Sequence, residues 1–197
     1  MQFLVHGIDA PGVDEQLDVL GEEHWSYMDR FADRLVARGP TLSADGETHT
    51  GSVHIVSAAD LVDANRFASD EPYAQAGLYS SVTVTPWQNG LGGSMWDHPA
   101  PSPEVASTLV LARWSHHSFD PASDETHWQS LTHGASLEGW IFGGLLLTAD
   151  QRGSVGLVFA TDFDVADTAR RVASLPVAET ATSITCQRWC RGGRRDA

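Results

Sequence analysis

The feature that most constrains this chain is a repeat of its first half in its second half. The matching pieces, in chain order, are Glu23-His24-Trp25 with Thr126-His127-Trp128, Gly51-Ser52 with Gly153-Ser154, and two alternating segments that end at Trp87 and Trp189. Self-similarity at this scale indicates two copies of one supersecondary unit. Each copy must therefore fold in nearly the same way.

The first copy has the element order of a ferredoxin-like unit. Its expected elements are a strand at 3–8, a helix at 14–38 stopped by Gly39-Pro40, a hairpin at 41–57, a helix at 59–69 and a strand at 78–87. This βαββαβ order gives a four-stranded antiparallel sheet with both helices on one face. We predict an α+β fold in which the sheets of two such repeats face each other as a pseudo-dimeric α/β barrel.

Alternation along the strands predicts which residues share a sheet face. Val53 and Ile55 are expected to face the helices, while Ser52, His54 and Val56 face the opposite sheet. A half-polar face suits a ligand, so we expect a partly polar cavity between the two sheets.

The chain divides at a segment rich in Gly, Pro and Ser. We predict repeat 1 at residues 1–88, a linker at 89–106, a diverged repeat 2 at 107–192 and a tail at 193–197. A monomer would suffice to close the barrel, although a homodimer is compatible with the same pattern.

Composition excludes several classes of partner and mechanism. The formal charge of −14 argues against binding nucleic acid or an anionic membrane, because both need clustered Lys and Arg. No run approaches the roughly 20 apolar residues that span a bilayer, so a cytoplasmic protein is expected. The chain holds no lysine, which excludes Schiff-base enzymes and Walker A loops.

Repeat 1 resembles the YciI-like (YCII-related) family. The resemblance rests on His24 in the first helix, Gly39-Pro40, Gly51-Ser52, and Asp70-Glu71-Pro72-Tyr73 followed by Ala76-Gly77-Leu78-Tyr79. It implies a dimeric α/β barrel with a His-carboxylate pair as the site. The family usually has Asp directly before Pro-Tyr, where this chain has Glu71, so either Asp70 or Glu71 is the expected partner of His24. Repeat 2 has Ala173-Ser174-Leu175-Pro176 in that place and so lacks the carboxylate.

A His-carboxylate pair can perform general acid-base chemistry, because imidazole titrates near neutrality and a carboxylate fixes its tautomer. The predicted catalytic residues are His24, Asp70 and Glu71. The candidate substrate-binding residues are Ser52, His54, Tyr73, His6 and Trp25. We expect a cofactor-independent elimination, isomerisation or cyclisation of a small aromatic or polyketide-like substrate.

Two other function classes remain open from the sequence. One is a cofactor-free oxygenase, and the other is a non-catalytic small-ligand-binding or accessory protein. No metal site is predicted. The candidate ligands lack the compact spacing of a metal-binding motif; they are His116, His117, Asp120, His127 and His133.

Overall fold

The computed structural model describes residues 1–98, 107–118 and 124–193. The first copy consists of β1 (Gln2–Asp9), α1 (Asp14–Asp29), β2 (Leu35–Leu42), β3 (His49–Ser57), α2 (Leu61–Ser69), α3 (Pro72–Gln75) and β4 (Tyr79–Asn89). The second consists of β5 (Ser107–Ser118), α4 (Asp124–Leu131), β6 (Trp140–Leu147), β7 (Gly153–Thr161), α5 (Val165–Val172), α6 (Val177–Thr180) and β8 (Ser183–Trp189).

The eight strands close into one antiparallel barrel in the order β1-β3-β2-β8-β5-β7-β6-β4. Each copy keeps its own four strands adjacent, and the copies join twice. β2 pairs with β8 through Thr41 and Trp189, and β4 pairs with β6 through Trp87 and Leu146. The predicted pair of ferredoxin-like repeats in a pseudo-dimeric barrel is therefore confirmed. The division at residues 88, 107 and 193 stays a proposal.

Much of the barrel interior is filled by apolar side chains, and the cavity that the structure forms beside His24 lies under α1 rather than between the two sheets as predicted. Side chains from both copies pack there, including Leu4, Val53, Ile55, Trp87, Phe142 and Trp189. Burial of this shared cluster removes a large apolar area from water, which is the main force holding the two copies together. Both copies thus depend on one core.

The predicted orientation of β3 is reversed. Val53 and Ile55 face the barrel interior, whereas Val56 packs with Tyr27, Met28 and Phe67 on the helix side. Alternation separates the two faces but does not say which face meets the helices. The more apolar face of β3 lines the barrel interior, and the polar residues of β3 lie under α1.

Helix α1 ends at Asp29, earlier than predicted, and Gly39-Pro40 lies inside β2 rather than after a helix. The run from Leu35 to Ala37 is buried on both sheet faces, so it shows no alternation and extends the helical pattern by coincidence. Gly39 serves a close backbone approach. A Cβ there would lie 1.9 Å from the carbonyl oxygen of Cys190, in the segment that follows β8.

No helix in the described part of the chain is long and apolar enough to cross a membrane.

Candidate functional site

The site is built around a contact between His24 on α1 and Glu71 at the start of α3. Nδ1 of His24 is in hydrogen-bond contact with Oε1 of Glu71, and both residues are buried. Burial leaves the pair little water to compete for this contact, so the carboxylate fixes the imidazole orientation. This contact does not use the second ring nitrogen, Nε2, and His24 also lines a cavity.

Glu71 is held in place by the helix that it caps. Its carboxylate accepts hydrogen bonds from the backbone N–H groups of Tyr73 at 3.1 Å and Ala74 at 3.0 Å. Pro72 occupies the first helical position, where its missing N–H costs nothing. The Glu-Pro-Tyr sequence therefore folds locally into a cap that aims a carboxylate at α1.

The cavity beside His24 has a volume of about 360 Å³ and lies between α1 and the outer face of the sheet. This volume is in the range of small-molecule sites. Its walls come from both copies: His24, Trp25, Met28, Arg38, Gly39, Pro40, His49, Ser52, His54 and Tyr73 from the first, and Cys190, Arg191, Gly192 and Gly193 from the second. The segment after β8 is fixed there by backbone hydrogen bonds from Cys190 to Pro40 and from Gly192 to Arg38.

Four of the predicted substrate-binding residues lie on this cavity. The Tyr73 ring stacks on His24 with centroids 4.3 Å apart, and His54 lies 5.7 Å from His24. Ser52 is buried beside them, while Trp25 is half exposed at the rim. The structure therefore gathers Ser52, His54, Tyr73 and Trp25 around the predicted histidine.

Burial changes the titration of several of these groups. Desolvation, followed by the charges of His24, Arg38 and His49, holds the pKa of His54 well below its usual value, so His54 is neutral at physiological pH. Desolvation also raises the pKa of Tyr73 to about 12, aided by the Glu71 carboxylate. His54 thus offers a neutral hydrogen-bonding group to a ligand, whereas the Tyr73 hydroxyl donates to the carbonyl of Leu17 at 3.1 Å, so Tyr73 presents mainly its ring.

Two predicted site residues are not brought to the cavity. Asp70 is exposed at the end of α2, and its side chain bonds Ser69, so Glu71 is the carboxylate that meets His24. His6 pairs across the sheet with Val53 and therefore faces the barrel interior. Desolvation there, followed by the charge of Arg113, lowers the pKa of His6.

Sequence reasoning missed three parts of the site: Arg38, His49 and the segment at 190–193. Arg38 is buried and bonds Asp29 through both terminal nitrogens at 3.1 Å, and it also donates to the carbonyl of Gly193. A usable signal was Gly39 within an apolar strand, since a strand glycine often marks a close backbone approach.

In the described part of the second copy, polar and aromatic side chains contact the matching histidine, His127. Nε2 of His127 lies 3.1 Å from the Ser154 hydroxyl, and Trp114 donates to the same serine. Leu175 is buried among the apolar side chains of this copy, including Trp128 and Trp140. The segment of the second copy that matches Asp70-Glu71-Pro72-Tyr73 is Ala173-Ser174-Leu175-Pro176, which contains no carboxylate.

Among the described residues no group of three His, Cys, Asp or Glu side chains is arranged to hold a metal ion. The side chains of His116, His117 and Asp120, which the sequence analysis considered as metal ligands, lie outside the described residues.

Comparisons of the sequence with known proteins match the first half of the chain. The sequence profile of the YCII-related domain matches residues 1–88. An uncharacterised protein of Haemophilus influenzae is 28% identical over 95 residues, which cover 45% of this chain and 97% of the relative.

Among solved structures, a 5-chloro-2-hydroxyhydroquinone dehydrochlorinase from Burkholderia phenoliruptrix in complex with 2,5-dihydroxybenzoquinone is 29% identical. The match covers 46% of this chain and 96% of that one, with a TM-score of 0.44. A chlorite dismutase variant from Candidatus Nitrospira defluvii matches 98% of this chain and 91% of its own at a TM-score of 0.57, with 8% identity. The second likeness concerns the fold of the whole barrel. Residues 1–88 of this chain thus match the YCII-related domain, and the whole chain is similar in fold to the chlorite dismutase variant.

Proposed function

We propose that this protein is a cofactor-independent enzyme that performs elimination, isomerisation or cyclisation on a small molecule by general acid-base catalysis at His24. The observation that carries the proposal is the buried contact between His24 and Glu71 at the wall of a cavity of about 360 Å³. Buried His-carboxylate pairs facing a cavity are a common arrangement for proton transfer.

The proposed chemistry begins at Nε2 of His24. Glu71 accepts a hydrogen bond from Nδ1–H of His24, which leaves Nε2 as the basic nitrogen that removes a proton from the substrate. The carboxylate then stabilises the resulting imidazolium. A negative charge that develops on substrate oxygen would meet the neutral donors of Ser52 and His54 and the positive field of the buried Arg38.

The cavity walls favour a small ring-shaped substrate. Tyr73 and Trp25 supply aromatic surface, Met28 and Pro40 supply apolar surface, and polar groups lie mainly beside His24. Such a mixture suits an aromatic or polyketide-like molecule with an acidic C–H or O–H group.

Two single-ring compounds test the proposal. 5-Chloro-2-hydroxyhydroquinone can lose HCl, and 3-cyclohexen-1-one can isomerise to the conjugated enone; each reaction needs proton removal and no cofactor. We expect turnover of at least one compound by protein dialysed against a chelator, with equal rates in air and under nitrogen. A requirement for oxygen would favour the oxygenase alternative. Binding of both compounds without turnover would favour an accessory protein.

A further inference from the structure

A second His-carboxylate pair lies in the same cavity, on residues that the proposed reaction has not used. Nδ1 of His49, at the start of β3, lies 2.5 Å from Oδ2 of Asp9, at the end of β1. Asp9 is almost fully buried, whereas the His49 side chain is 24% exposed. The pair thus repeats the contact between His24 and Glu71 at a place closer to solvent.

The two imidazoles flank one aromatic ring. His24 stacks on the face of Tyr73, and His49 meets the same ring edge-on with centroids 6.4 Å apart. Both histidines line the cavity, and in both the carboxylate contact uses Nδ1. Each ring therefore keeps Nε2 for a molecule bound beside Tyr73.

The surroundings of His49 suit exchange of protons with water. His49 also borders an outer groove between α1 and the turn before β3, whose acidic residues are Asp14, Asp18, Glu22 and Glu47. The groove thus brings solvent and acidic side chains next to His49. Oδ1 of Asp9 is buried and has no hydrogen-bond partner among the described residues, so the carboxylate is committed to His49.

We propose that His49, oriented by Asp9, is the second proton-transfer group of this cavity and acts as the general acid opposite His24. The proposal rests on the proposed function, since an elimination or isomerisation needs a proton removed at one atom and another delivered elsewhere.

The isomerisation of 3-cyclohexen-1-one shows where each proton and electron pair goes in the proposed reaction. His24 takes a proton from the carbon between the carbonyl and the alkene, and that C–H electron pair becomes a C=C bond of a dienol. The carbonyl π pair moves to oxygen, which receives the Nε2 proton of His49. His24 then gives its proton to the far alkene carbon as His49 recovers the hydroxyl proton. Both histidines return to their starting protonation states, and no oxidant or reductant is needed.

The second copy has no counterpart of His49. Gly153 matches Gly51, so the position of His49 is held by Gln151 in the second copy. A glutamine cannot deliver a proton as an acid, so the proposed role of His49 belongs to the first copy.

The test compares kcat/KM for 3-cyclohexen-1-one across pH in the wild type, His49→Gln, Asp9→Asn and His133→Gln, which changes an exposed histidine outside the cavity. We expect a bell-shaped profile for the wild type and for His133→Gln. His49→Gln should lose about 10²-fold in rate and its alkaline limb, because that limb reports the general acid. Asp9→Asn keeps the imidazole and should move the alkaline limb to lower pH.

Thermal unfolding of each variant separates a positioning or packing role from proton transfer. A His49→Gln variant that keeps the wild-type rate or keeps the alkaline limb would overturn the proposal while leaving the role of His24 intact. Absence of wild-type turnover of this compound and of 5-chloro-2-hydroxyhydroquinone would instead remove the proposed function, and with it the role of His49.

Discussion

The two copies share a fold but differ in what surrounds the matching histidine. His24 lies on the long helix α1, contacts Glu71 and faces an open cavity. His127 lies on the shorter helix α4, and its surroundings contain Ser154, Trp114 and apolar side chains. The difference suggests that one copy of a duplicated unit keeps the chemistry while the other closes the barrel.

The second copy also contributes to the cavity of the first copy. The chain that follows β8 lies across β2, where it supplies one wall of the cavity and bonds to Arg38 and Pro40. Without the second copy, Arg38 would lose its bond to Gly193 and the cavity would open to solvent on that side. The second half therefore supports the proposed site from outside it.

The largest expected effect concerns the core that the copies share. Trp189 is completely buried and packs edge-on against Phe142 with centroids 5.5 Å apart. Trp189→Ala should lower the free energy of unfolding by about 3–5 kcal/mol, the usual cost of removing a buried aromatic side chain. Calorimetry should show one transition at lower temperature. Two separate unfolding transitions, with only one of them shifted, would contradict a core shared by the two copies.

A matched control for this change is Trp25→Ala, which removes a half-exposed tryptophan of α1. Its effect on unfolding should stay within about 0.5–1 kcal/mol, because little buried surface is lost.

The next effect concerns the carboxylate that distinguishes the copies. Glu71→Gln keeps the shape of the cap but weakens the hold on Nδ1 of His24, so turnover of either test compound should fall about 10²-fold. Asp70→Asn, one residue earlier and exposed, should leave the rate unchanged. Steady-state kinetics with circular dichroism compare the two variants. Equal losses would assign the effect to the local structure of the turn.

The smallest effect concerns His54, whose place in the second copy is held by Gly156. The folded state lowers the pKa of His54 by desolvation, so below about pH 6.5 the unfolded chain binds a proton that the folded chain does not. Stability should therefore fall as pH drops, with a slope of up to about 1.4 kcal/mol per pH unit from this group.

His54→Asn should remove that part of the slope, whereas His133→Asn should not. Urea unfolding between pH 5 and 8 measures the difference. Parallel curves for the wild type and His54→Asn would contradict a neutral buried His54.

The fold could be predicted from the sequence because a duplication is visible without knowledge of where each helix or strand ends. The two copies align at His24 with His127 and at Trp87 with Trp189. The end of α1 could not be predicted from periodicity, because a strand buried on both faces, such as Leu35–Leu42, loses its alternation.

The site was predictable only in part. The resemblance pointed to His24 and to one of two adjacent carboxylates, and the choice of Glu71 depends on the cap geometry of α3. His49 and Asp9 are brought together by the pairing of β1 with β3, and residues 190–193 reach the cavity because β8 pairs with β2. No local pattern in the sequence marks such long-range contacts.

The central claim is that proton transfer occurs in the first copy alone, and single histidine variants test it most directly. We predict that His24→Ala lowers turnover of the test compounds by about 10²- to 10⁴-fold while remaining folded. His127→Ala should keep most of the activity and lose about 1–2 kcal/mol of stability, as expected for trimming a partly buried side chain. Equal losses of activity in the two variants, or a larger loss for His127→Ala, would contradict the account.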